Sequence, residues 1–68
     1  MEGRSIGFVH SFNRLGGYGF VVPVNSEDQV YFRAEDIEGD DQVVSEGQQV
    51  SFVLVLGEGR FEARELRI

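Results

Sequence analysis

The residues with most chemistry to offer stand in one short run, Gly16-Gly17-Tyr18-Gly19-Phe20-Val21-Val22. Glycines before and between two aromatics leave both rings uncrowded on a strand, so each can present a flat π-face. Stacking of a nucleobase on such a face is worth about 1–3 kcal/mol and tolerates any base. A second run, Val30-Tyr31-Phe32-Arg33, adds a ring beside a guanidinium, which can stack on a base and pair with phosphate. Other chemistry has less to stand on. His10 is the only histidine and there is no cysteine, whereas a metal site wants several such donors. Asp36, Glu38 and Asp40 alternate as in a calcium loop, but counting from Asp36 the sixth position is Asp41 rather than Gly and the twelfth is Gly47 rather than Glu. That acidic stretch reads instead as a solvated loop that repels phosphates from its side of the domain. No catalytic residue, cofactor or metal is expected.

Rings used in this way need a stiff sheet beneath them, and the chain is patterned as strands. No apolar set recurs at i, i+3, i+4 and i+7 over three turns, and nine glycines punctuate the 68 residues. Five β-rich runs bounded by Gly, Asn, Asp and Ser are expected at about 5–13, 18–24, 29–33, 48–56 and 60–67. A longer connection, 35–47, precedes the fourth run, and Gly57-Glu58-Gly59 reads as a tight hairpin turn before the fifth. A hydrophobic content of 41% with eight aromatics is too apolar for a disordered tail. Against a usual length of about 100–200 residues per domain, 1–68 makes a single domain. A core this small supplies only about 3–5 kcal/mol, which leaves little room for a deep cleft, so neither enzymatic activity nor a small-molecule substrate is expected. The absence of cysteine, of any apolar run of membrane-spanning length and of a charged-then-apolar leader in Met1–Ser5 points to a soluble cytoplasmic domain away from membranes.

Period-2 parity orients some of these strands. Val30 and Phe32 go inward and Tyr31 and Arg33 outward, because an unpaired buried arginine is costly. Val50, Phe52 and Leu54 form an inner stripe on the fourth strand. The second strand stays open: Tyr18, Phe20 and Val22 share one face, Gly19 and Val21 the other, and hydrophobicity alone would bury the aromatics. The net charge of −6 opposes phosphate binding. Its distribution is uneven: residues 1–34 balance Glu2, Glu27 and Asp28 against Arg4, Arg14 and Arg33, so the whole excess lies in 35–68.

Gly17-Tyr18-Gly19-Phe20-Val21 fits the centre of the first ribonucleoprotein motif, with Gly16 in place of the usual leading cation. The RNA-recognition-motif fold that shares it needs two helices for which this chain carries no signal. Together with Gly7-Phe8-Val9-His10-Ser11-Phe12-Asn13, Val30-Tyr31-Phe32-Arg33 and Glu46-Gly47-Gln48-Gln49-Val50-Ser51-Phe52, the order resembles the cold-shock domain family over nearly the whole chain. The resemblance implies an all-β, five-stranded antiparallel barrel of OB-fold type that binds single-stranded RNA or DNA, with Tyr18 and Phe20 facing outward. Carried over by position, Phe12, Tyr18, Phe20, Tyr31 and Arg33 fall on the base-stacking surface, and His10 and Asn13 flank it.

The departures are specific. Where the family usually has Lys-Trp-Phe-Asn this chain has His10-Ser11-Phe12-Asn13, and the familiar Phe-Val-His-Phe becomes Tyr31-Phe32-Arg33-Ala34. No aromatic stands between Gly39 and Ser45, and Phe8 occupies a site where the family tends to carry Lys. Two or three stacking partners are thereby lost, at about 1–3 kcal/mol each. The expected function is weakly selective binding of unpaired strands by a monomer, in the manner of an RNA chaperone. The alternative is a barrel that has lost this binding and uses an exposed strip of Phe8, Phe12 and Tyr18 to contact another protein.

Overall fold

Each expected β-rich run forms a strand: β1 (Arg4–Asn13), β2 (Tyr18–Pro23), β3 (Val30–Arg33), β4 (Gln49–Leu56) and β5 (Phe61–Arg67). The computed structural model describes residues 3–39 and 42–68, so Asp40 and Asp41 of the calcium-like spacing lie outside the described residues. The strands close into a barrel in the order β1-β2-β3-β5-β4. Four seams are antiparallel. The fifth, which closes β3 on β5, is parallel and pairs Tyr31 with Glu62. Among the described residues the one helical element is a 3-10 turn at Ala34–Asp36, opening the long connection.

Parity sets the core. Val9 and Val21 face each other across β1 and β2, and Val21 faces Val30 across β2 and β3. Phe32, Phe52, Val50, Ala63 and Leu66 complete the interior, and the long connection contributes Ile37 and Val44. Phe32 and Phe52 have no exposed surface at all, and burial of each ring contributes about 1.5–3 kcal/mol. The inner stripe expected on β4 holds for Val50 and Phe52 but not for Leu54, which is 38% exposed. Leu54 lines an open recess at the barrel rim with Pro23, Val30 and Phe61, so nothing closes over it there.

The second strand turns its glycine inward. Gly19 pairs with Phe32, and a Cβ at Gly19 would lie 2.7 Å from the Phe32 ring. Glycine therefore lets the largest core side chain pass beneath β2, and the next positions along the strand, Tyr18 and Phe20, are forced to the outer face. Hydrophobicity alone would have had the opposite result.

A bulge in β1 has a comparable effect. The register runs Val9↔Val21 and then Ser11↔Phe20, leaving His10 as the extra residue. Beyond such an insertion the alternation of faces is inverted. Phe12 now pairs with inward-facing Gly19 and stacks on Phe32 at 5.8 Å between centroids, packed against the core.

Candidate nucleic-acid interface

Three rings gather on the outer face of β2 and β3. Tyr18 pairs with Arg33 and Phe20 with Tyr31, so cross-strand geometry brings their side chains together on one surface. Tyr31 is the hub: it stacks on Tyr18 at 6.2 Å with planes 24° apart and meets Phe20 edge-on at 5.9 Å. Tyr18 is 37% exposed, whereas Phe20 and Tyr31 are half-buried by one another. The β1–β2 turn holds Tyr18 in place. The Asn13 side chain receives the Gly16 N–H at 2.8 Å and donates to the Tyr18 hydroxyl at 3.4 Å. A Cβ at Gly16 would sit 2.5 Å from the Tyr18 ring, which accounts for glycine where the motif usually has a cation.

The other expected site residues are placed less uniformly. Asn13 and His10 are exposed on β1, Asn13 as the anchor just described and His10 at the bulge. Phe12 is half-buried, packed against the core and stacked on Phe32 beneath the platform. Ser11 takes an outer position across from Phe20, where it presents a hydroxyl rather than a ring. Phe8 is also outside, 44% exposed and paired with Val22.

Sequence reasoning passed over two residues that border the platform. Arg60, just after the hairpin turn, lays its guanidinium 4.3 Å from the Tyr31 centroid, closer than Arg33 at 5.6 Å. Glu62 is buried, and its Oε1 receives Arg33 at 3.4 Å and Arg64 at 3.2 Å. A signal for both was present: Arg60, immediately before β5, and Glu62 and Arg64 on it stand at alternate positions and so share a face. What the pattern lacked was the long-range pairing of β5 with β3.

Electrostatically the surface is poor in unengaged cations. Arg4 pairs with Glu65, Arg33 with Glu62, Arg64 with Glu62 and Asp36, and Arg67 with Glu38 and Glu65. The hydrogen bond to Glu38, followed by that carboxylate's charge, raises the Arg67 guanidinium above its ordinary pKa. Asp36 and Glu38, expected to be solvated, are therefore engaged by arginines of β5. Among the described residues Arg14 and Arg60 have no ion-pair partner, and no three His, Asp or Glu residues gather to hold a metal. No helix among them is long and apolar enough to cross a membrane.

Comparison with known proteins bears on the family and the fold. Residues 5–68 match the family described as 'Cold-shock' DNA-binding domain. The cold shock protein CapB of Pseudomonas syringae pv. tomato is 36% identical over 69 residues, covering 100% of this chain and 99% of the relative. The major cold shock protein CspA of Pseudomonas aeruginosa is 39% identical over 70 residues, with coverage of 100% and 99%. Among solved structures, Drosophila Unr CSD456 superposes with a TM-score of 0.82 at 21% identity, covering 97% of this chain and 26% of that one. That last likeness speaks for the barrel fold alone.

Proposed function

The chain belongs to the cold-shock domain family, and from that premise we propose that it binds single-stranded RNA or DNA, with little sequence preference, by stacking bases on Tyr18, Phe20 and Tyr31. The observation that carries this reading is the presence of all three rings on one outer face, with Tyr18 and Phe20 lying 6.2 Å and 5.9 Å from the Tyr31 ring, backed by a core that Gly19 allows to close beneath them. Arg60 and Arg33 border the Tyr31 ring, where they can meet the backbone of a bound strand. The mode is non-catalytic. By holding strands unpaired, the domain shifts hairpins toward open forms, as an RNA chaperone does.

The alternative reading, a protein-interaction module, draws less support. Its strip of Phe8, Phe12 and Tyr18 is interrupted, because Phe12 packs on Phe32. Titration with a short oligothymidine, followed by tyrosine emission, separates the two. Saturable quenching in the micromolar range at low salt is expected. Unchanged emission at high micromolar oligomer would leave the platform without its proposed ligand.

A further inference from the structure

Half of the arginines converge on one open cleft at the edge of the platform. Its volume is ≈ 680 Å³, and it lies between Arg33 at the end of β3, the Gly57–Arg60 turn, and Glu62 and Arg64 on β5. Two of these cations also approach the stacking surface, since Arg60 and Arg33 both lie over Tyr31. A strand with bases on Tyr18 and Tyr31 would pass its sugar-phosphate backbone beside this cleft. Three guanidiniums offer an abundance of N–H donors matched to phosphate oxygens.

The cleft already contains an anion. Glu62 has a side chain 8% exposed, set so tightly under the turn that a Cβ at Gly57 would meet its carboxylate at 2.6 Å. One oxygen of Glu62 is shared by Arg33 at 3.4 Å and Arg64 at 3.2 Å, longer than the roughly 2.7–2.9 Å of a strong charge-assisted bond. Behind them Arg64 Nε faces Asp36 Oδ2 at 3.6 Å, and neither atom has a hydrogen-bond partner. The two guanidiniums are thus neutralised without being saturated. Among the lining residues Arg33, Arg60 and Arg64 stand against Glu58 and Glu62, so the cleft keeps one positive charge, and Asp36 draws on Arg64 from behind.

We propose that the Arg33–Arg60–Arg64 cleft is a phosphodiester site for the bound strand and that Glu62 is its built-in counter-anion, competing with phosphate for Arg33 and Arg64. This rests on the nucleic-acid reading above and adds the residue that sets backbone affinity. Loss of one negative charge about 4 Å from a phosphate is worth about fivefold in affinity even with the full screening of water. One additional neutralised phosphate raises the salt slope for a single strand by about 0.7.

The test uses anisotropy of two labelled oligomers of equal length, a thymidine oligomer and one that carries abasic sugars throughout, with the parent chain and Glu62→Gln. The amide keeps an oxygen to receive both arginines while the charge is removed. The expected result is about fivefold or greater tightening of both oligomers at low salt, with the slope steeper by about 0.7. Parent-like or weaker affinity of a Glu62→Gln chain that melts cooperatively would overturn the proposal. Should that variant not fold, Arg60→Gln decides: weaker abasic binding supports the site, and unchanged binding overturns it. The stacking reading fails separately, if the abasic oligomer binds the parent as tightly as the thymidine oligomer does. If neither oligomer binds parent or variant, both readings fall.

Discussion

Replacement of Phe20 by alanine separates the platform's role in binding from its role in folding. The ring lies outside the buried core and its principal aromatic contact is the edge-on meeting with Tyr31 at 5.9 Å. Loss of such a pair costs about 0.5–1.5 kcal/mol. In a domain of this size about 1 kcal/mol corresponds to 4–8 °C in Tm, so Phe20→Ala, which also gives up the burial of a half-buried ring, should melt at least about 2–12 °C below the parent. Binding should suffer more. Removal of one stacking face costs about 1–3 kcal/mol, which is a loss of about 5- to 150-fold in affinity. Both tyrosines remain in this variant, so tyrosine emission with a short oligothymidine still reports the titration, and far-ultraviolet circular dichroism follows the melt. A folded variant that binds within about twofold of the parent would refute the stacking assignment. Collapse of the fold would show that the ring supports the core instead.

Three further outcomes follow from the same geometry. Phe32→Ala removes a fully buried ring at about 3–5 kcal/mol, comparable to the whole stability of a domain this small; circular dichroism should show a largely unfolded chain at 25 °C, and a cooperative melt near the parent Tm would contradict the assigned core. Gly19→Val drives a side chain against the Phe32 ring, and a loss of about 1–3 kcal/mol in denaturant unfolding is expected, with parent-like stability counting against the close approach. For the parent chain, binding that engages about two or three phosphates should give a log affinity that falls by about 1.5–2 per tenfold rise in salt. A slope steeper than about 4 would mean that phosphate contacts rather than stacking dominate.

Particular residues show what was readable along the chain. The parity of β3 was plain, because Arg33 could not be buried alone while Val30 and Phe32 could, and both are in the core. The Gly17-Tyr18-Gly19-Phe20-Val21 run marked the platform, but alternation by itself would have buried its rings. Their outward orientation depends on Phe32 crossing under Gly19, a contact between residues on different strands. Phe12 was assigned to the same surface by position, and the bulge at His10 turns it toward Phe32, where it is half-buried against the core.

The sequence by itself determined the strand-rich character and marked the aromatic segment of β2, because period-2 alternation and glycine placement are local properties. The tertiary structure alone decided that Leu54 stands at an open rim, that Phe12 faces the core, and that Glu62 shares one oxygen between Arg33 and Arg64. Each of these depends on which strand lies alongside which and in what register. β3 and β5 meet through a parallel seam between residues 31 positions apart, Tyr31 and Glu62, and no repeating pattern within either strand encodes the distance at which the other will be found.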